Sequence, residues 1–140
     1  RRHPHPAVVH IPVGMFTVLP FLQIAALAFH SLSTEWAAVC CLFIGTVSIP
    51  AAISTGYFTW WMNYELSESP IIVLKRRLAW TVLPLAILAL VFRWIAVEDP
   101  IAIRSTATIL YSLWLFVLSF AVACIGFLGG KLTFPYEAKK

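Results

Sequence analysis

Charge is scarce in this 140-residue sequence. Only 11 % of the residues are charged, 61 % are hydrophobic and the mean hydropathy is +0.88, whereas a soluble domain has about 25 % charged residues. So few charged side chains cannot cover a surface that faces water, and the lipid bilayer is the environment that suits such a chain. The net charge of +4 does not indicate a nucleic-acid partner, because the basic residues stand at the ends of apolar runs, as in membrane proteins.

Carboxylates are absent from the interior of the long apolar runs. All six acidic residues are expected in connections or in the C-terminal tail: Glu35, Glu65, Glu68, Glu98, Asp99 and Glu137. A transporter of ions or protons normally buries a carboxylate along its path, so this absence disfavours that class. The sequence also has no phosphate-binding loop, no nucleophile elbow and no zinc-protease helix, and we predict no catalytic residues.

Cysteine motifs are lacking as well. Cys40, Cys41 and Cys124 all lie inside apolar runs, without a CxxC or CxxCH pattern. This excludes a zinc ribbon, a redox dithiol and covalently attached c-type haem. We interpret the three cysteines as small residues that pack between helices.

Four apolar runs make up most of the chain. They cover residues 7–29, 36–61, 71–95 and 103–128, and each exceeds the roughly 20 residues that a helix needs to cross a bilayer. The connections are short, which favours antiparallel neighbours. We therefore predict an all-α fold, a four-transmembrane-helix antiparallel bundle that forms a single integral membrane domain over residues 1–140.

The basic residues give the expected orientation. Only Arg93 and Arg104 are expected on the side opposite the termini. Eight others share the side of the termini: Arg1, Arg2, Lys75, Arg76, Arg77, Lys131, Lys139 and Lys140. Because loops that carry Lys and Arg stay in the cytoplasm, we expect cytoplasmic termini in a multi-pass membrane protein.

Small residues recur at four-residue spacing in the second run. This expected helix-contact face consists of Cys41, Gly45, Ser48, Ala52 and Gly56. Small side chains let a second helix approach closely in a membrane. The face is suited either to packing inside the bundle or to docking of a partner subunit, and the spacing does not separate these alternatives.

Histidines are concentrated at the start of the chain. His3, His5 and His10 stand just before and inside the first run. Neutral imidazole is a ligand for metals and for haem iron, so these three residues form a candidate metal site. The structural alternative is that His10 hydrogen-bonds a loop or a helix end and fixes how the chain enters the membrane.

A haem with two histidine ligands from separate helices meets a geometric difficulty. His30 is twenty residues beyond His10, which is about 30 Å along a helix, so the two cannot share one iron. Haem b or a pigment would instead be bound by His10 together with His5, with Met62 or with a ligand from another subunit.

Residues 5–12 read HPAVVHIP, and this segment resembles the HPxxVHxP signature of a bacterial family of four-helix inner-membrane proteins of unknown function. The resemblance continues in Gly45, in residues 55–57 (TGY), in residues 93–94 (RW) and in residues 126–132 (GFLGGKL). Some relatives are fused to rubredoxin-like or c-type cytochrome modules, and the resemblance thus implies membrane redox chemistry. The family often has a histidine early in the third span, where this sequence reads KRRLAW. That departure favours an accessory subunit over an autonomous cytochrome.

Two functions are therefore expected. The first is a non-catalytic anchor or accessory subunit of a larger membrane redox complex, with the lipid bilayer and other membrane subunits as partners. The alternative is a b-type haem electron carrier that exchanges electrons with quinone through His10, with His5 or Met62 as a further ligand. A Soret band would distinguish the second function from the first.

Overall fold

A computed structural model describes residues 4–64, 66 and 68–133, and the side chains of residues 7–62, 66 and 68–131. The chain forms four α-helices: α1 (Pro4–Ala28), α2 (Leu32–Tyr64), α3 (Pro70–Ile95) and α4 (Thr106–Thr133). Each helix is long and apolar enough to cross a membrane, and the described residues include no strand. The prediction of an all-α, four-transmembrane-helix fold is confirmed. The expectations for Glu65 and Glu137 lie outside the described residues.

The second helix begins earlier than its apolar run. Helix α2 has 33 residues and is about 50 Å long at 1.5 Å per residue, compared with about 30 Å for the hydrocarbon core of a bilayer. It starts at Leu32, so Glu35 lies in its first turn rather than in a connection. The prediction that every acidic side chain lies in a connection or the tail was wrong for Glu35.

The turn between α1 and α2 explains this early start. His30 adopts a left-handed conformation with φ 48°, and the Ser31 N–H donates to the Ala26 carbonyl at 3.0 Å, which closes α1 in the manner of a Schellman motif. Ser31 then caps α2, because its Oγ accepts a hydrogen bond from the Thr34 N–H at 3.3 Å. One short turn therefore ends α1 and starts α2.

The helices form a closed ring in which each one packs against two neighbours. Helices α1 and α3 both contact α2 and α4. Large, fully buried side chains from α1, α2 and α4 fill the centre, among them Phe16, Leu42 and Leu115. Helix α3 turns the smaller residues Val82, Ala86 and Ala89 inward.

Helices α1 and α2 pack closely at Gly45. A Cβ atom on Gly45 would lie 2.8 Å from Cε2 of the Phe16 ring, and Phe16 is fully buried. Real Cβ atoms do not approach other atoms this closely, so only glycine fits here without a shift of the ring. The absence of a side chain at Gly45 thus lets the Phe16 ring of α1 pack directly against α2.

The connection between α3 and α4 is hydrogen-bonded to the start of α4. The Thr108 hydroxyl donates to the Asp99 carbonyl at 2.7 Å. Thr108 is buried, whereas Asp99 and Glu98 are exposed.

The two connections, α1–α2 and α3–α4, lie at the same end of the bundle, opposite the N-terminus of α1.

Candidate functional site

Buried polar side chains are concentrated at the end of the bundle that holds these two connections. All four helices contribute to this group, which we call the polar cluster. It consists of Gln23 from α1, Glu35 from α2, Arg93 from α3, and Thr108, Tyr111 and Ser112 from α4.

Glu35 and Arg93 form a two-pronged ion pair between α2 and α3. Arg93 Nε donates to Glu35 Oε1 at 2.5 Å, and Arg93 Nη2 donates to Glu35 Oε2 at 3.0 Å. The carboxylate is fully buried and the Arg93 side chain is 9 % exposed. Arg93 Nη1 also reaches the Val97 carbonyl at 3.4 Å. The planar guanidinium fork matches the carboxylate, which gives this pair both strength and a fixed geometry.

The local sequence places both charged groups in the interior. Arg93 continues the inward face of α3 that includes Ala86 and Ala89, at spacings of three and four residues. Glu35 likewise shares a face of α2 with Ala38 and Leu42, which are both fully buried. The two faces meet at the ends of their helices, so the charges meet there too.

A second polar contact joins α1 to α4 in the polar cluster. Gln23 Nε2 donates to Ser112 Oγ at 3.0 Å, and Ser112 Oγ donates to the Thr108 carbonyl at 2.8 Å. Tyr111 of α4 is fully buried in the same cluster. Within the described part of the chain, Gln23 Oε1 and the Tyr111 hydroxyl have no hydrogen-bond partner.

Two tryptophans, the sequence neighbours of Glu35 and Arg93, lie together on the surface beside the ion pair. The rings of Trp36 and Trp94 lie 5.5 Å apart between centroids, and the Arg93 guanidinium lies 5.7 Å from the centre of the Trp94 ring. Both tryptophans are exposed on the surface of the bundle. Aromatic side chains of this kind are typical of the membrane–water boundary, so the polar cluster lies near that depth.

The histidine site expected from the sequence is only partly described. His10 lies in α1 with an exposed side chain. His5 belongs to the same helix, but its side chain lies outside the described residues, as does the whole of His3. Met62 is also exposed, near the end of α2. Among the described residues, no group of three or more His, Cys, Asp or Glu side chains could hold a metal ion.

The expected helix-contact face of α2 has mixed surroundings. Gly45 is buried against Phe16 of α1, and Cys41 packs against the hydrophobic core. Ser48 is half-buried and its hydroxyl donates to the Gly45 carbonyl at 2.7 Å. Ala52 and Gly56 are half-buried as well.

The polar cluster was not predicted from the sequence. The apolar run begins at Trp36, and this boundary predicts that Glu35 lies in a connection. The available signal is Ser31, since serine is a favoured N-cap residue and would start the helix before Glu35. For Arg93 the signal was its place on the small-residue face of α3.

Four membrane-length helices around a buried ion pair define this protein as a multi-pass membrane protein with a helical-bundle fold. The chain belongs to the family described as Predicted membrane protein (DUF2231), which matches residues 2–139. No curated protein and no solved structure matches the chain.

Proposed function

We propose that this protein is a non-catalytic membrane subunit that anchors or supports a larger membrane redox complex. One observation carries the structural part of this proposal. The strongest polar groups inside the bundle pair with each other across helices, Glu35 with Arg93 and Gln23 with Ser112. Polar side chains that are paired in this way hold the helices together and are not available to bind a substrate.

The outer surface supports contact with other membrane components. Large apolar side chains are exposed on every helix, and an open apolar groove of about 230 Å³ lies between α3 and α4. Its walls are Leu88, Val91, Phe92, Ile95, Ala96 and Trp114. Lipid or the helices of partner subunits would cover such a surface in the bilayer.

The redox part of the proposal rests on the resemblance of residues 5–12 to the HPxxVHxP signature. Relatives joined to electron-transfer modules suggest that this chain works beside such modules. Under this proposal the partner subunits carry the redox cofactors and exchange electrons with quinone, while the present chain supplies membrane-embedded contact surface.

The test is the composition of the native assembly. Membranes are solubilised in a mild detergent, separated by native electrophoresis, and the band that contains this chain is analysed by mass spectrometry. We expect subunits with haem, flavin or iron–sulfur groups in the same band. Recovery of the chain alone, from membranes whose other complexes remain intact, would refute the proposal.

The alternative is a b-type haem carrier. The exposed position of His10 is compatible with one version of this alternative, in which the haem iron is shared with another subunit. The exposed imidazole of His10 in α1 can ligate a haem iron whose other ligand comes from another subunit. A reduced-minus-oxidised spectrum of the purified assembly, with and without His10→Ala, tests this form. Loss of a b-type signal from a folded His10→Ala protein would favour the alternative over the accessory role.

We also propose that the protein resides in the bacterial inner membrane with cytoplasmic termini. Lys75, Arg76, Arg77 and Lys131 stand at the end of the bundle that holds the α2–α3 connection and the end of α4. At the opposite end, Arg93 is neutralised by Glu35, which leaves Arg104 as an exposed basic residue there. This distribution suits the positive-inside rule.

A further inference from the structure

We propose that the surface where α2 and α3 meet, at the end with the α2–α3 connection, binds the headgroup of a phospholipid of the phosphatidylethanolamine type. Two residues of α2, two of α3 and one of the connection form this surface, which we call the headgroup site: Tyr57, Trp60, Arg76, Trp80 and Glu68. The proposal is independent of the redox role, because it concerns only the contact of this chain with the bilayer.

Three direct contacts hold the side chains of the headgroup site together. The Trp80 indole N–H donates to the Tyr57 hydroxyl at 3.0 Å. The Arg76 guanidinium lies 5.0 Å from the centre of the Trp60 ring, and the centres of the Tyr57 and Trp60 rings are 6.0 Å apart. Residues three or four positions apart on a helix share one side of it. The pair from α2 and the pair from α3 therefore face each other and form one continuous surface.

The direction of the two helices fixes the order of these residues in depth. Helix α2 ends and α3 begins at this end of the bundle, so Trp60 and Arg76 lie nearer to water than Tyr57 and Trp80. Arg76 and Trp80 are about 6 Å apart along the helix axis, at 1.5 Å per residue. Tyr57 and Trp80 are exposed, and aromatic and basic side chains at the ends of membrane helices lie at the level of the lipid headgroups.

Two hydrogen-bond donors of the headgroup site are unused within the described part of the chain. The Arg76 guanidinium makes no hydrogen bond there, since its ion-pair partner Glu68 lies 3.6 Å away. The Tyr57 hydroxyl accepts from Trp80, and its own O–H donates to no described residue. A phospholipid offers acceptors at both depths, because its ester carbonyls lie beneath its phosphate. The phosphate would bind the Arg76 guanidinium, and an ester carbonyl would accept from Tyr57.

The charges of the headgroup site match a headgroup that carries both signs. Glu68 pairs with Arg76 at 3.6 Å, and the Glu68 side chain is 70 % exposed. An exposed ion pair of this kind is weak by itself, so both partners can turn to a ligand. An ammonium group attached to the phosphate would donate to Glu68 while the phosphate binds Arg76. An anionic headgroup such as phosphatidylglycerol has no cation for Glu68, so this carboxylate favours phosphatidylethanolamine.

The experiment measures the lipid selectivity of the full chain. Mixed micelles contain equal amounts of phosphatidylethanolamine and phosphatidylglycerol with the same acyl chains, and native mass spectrometry reports which lipid the protein retains. We expect preferential retention of phosphatidylethanolamine. Arg76→Gln removes the ligand of the phosphate that both lipids possess, so it should lower the retention of both by about fivefold, the upper end for an exposed charge pair.

Two further variants separate the roles of Glu68 and Tyr57. Glu68→Gln should reduce the ratio of retained phosphatidylethanolamine to phosphatidylglycerol by up to about fivefold, because only the first lipid has an ammonium group. Tyr57→Phe removes the donor to the ester carbonyl, which both lipids possess. It should therefore lower the retention of both lipids equally and leave their ratio unchanged.

Arg104→Gln and Glu98→Gln are the matched controls, because each removes one exposed charge at the opposite end of the bundle. Neither should change the retention or the ratio. Glycerophosphoethanolamine, which has the headgroup without acyl chains, is added as a competitor and should not displace the lipid. Equal retention of the two lipids by the parent protein, a ratio that Glu68→Gln leaves unchanged, equal effects of the control variants, or displacement by the competitor would each overturn the proposal.

Discussion

The Glu35 carboxylate and the Arg93 guanidinium are joined by two hydrogen bonds, at 2.5 and 3.0 Å, across 58 positions of the chain. The pair connects the first turn of α2 to the last turn of α3. Glu35 near the N-terminus of α2 and Arg93 near the C-terminus of α3 also complement the dipoles of their own helices. The start of α2 and the end of α3 are therefore held together.

Gly45 should not tolerate a larger residue. Gly45→Ala places a Cβ 2.8 Å from the buried Phe16 ring, and overpacking of this kind costs about 1–3 kcal/mol. Gly14→Ala is the matched control, since a Cβ on Gly14 meets nothing within 4 Å, and the change should stabilise α1 by up to about 1 kcal/mol. SDS titration in mixed micelles measures both. Equal stability of the two variants would contradict the packing described for α1 and α2.

The sequence was sufficient to predict the helices because their signal is additive over some 20 residues. Averaging the hydropathy over a run does not reveal single charged side chains that face the interior. Glu35 and Arg93 stand at the ends of apolar runs, where charged side chains ordinarily face water. The mean hydropathy of a run does not indicate whether these two side chains face water or the interior. The direction follows from local details: the cap at Ser31 for Glu35, and the alanine face of α3 for Arg93.

The Gln23–Ser112 contact was beyond prediction for a different reason. It joins residues 89 positions apart, from α1 and α4, and depends on the rotation of both helices. The rotation of α1 is in turn limited by the fit of Phe16 against Gly45. Such a contact is set by packing of the whole bundle and has no local signature.

The Tyr111 hydroxyl should contribute little to stability. The side chain is fully buried, but its hydroxyl makes no hydrogen bond to the described part of the chain. Tyr111→Phe keeps the ring, so the free energy of unfolding should stay within about 1 kcal/mol of the parent or rise. Tyr111→Ala also removes the ring and should cost about 3–5 kcal/mol. A loss above 1 kcal/mol in Tyr111→Phe would mean that the hydroxyl has a partner in the membrane.

The orientation can be tested with reporter fusions. A fluorescent protein fused after residue 140 should fluoresce, and alkaline phosphatase fused at the same place should be inactive, because the termini are expected in the cytoplasm. Fusions that end after residue 99, in the α3–α4 connection, should give the reverse pattern. The opposite pair of results would reverse the proposed orientation.

The most direct test of the account is a double-mutant cycle on Glu35 and Arg93, read out by stability in mixed micelles and by native electrophoresis of membranes. Removal of one partner leaves the other charge buried and unpaired, so Glu35→Leu and Arg93→Met should each cost about 3–5 kcal/mol. The double variant should lose less than either single variant, because no uncompensated charge remains.

If the pair is a structural joint in an accessory subunit, the double variant should also migrate in the same assembly as the parent protein. Additive losses in the cycle would contradict the ion pair. A double variant that is as stable as the parent, and assembles normally, but abolishes electron transfer by the complex would contradict the non-catalytic role.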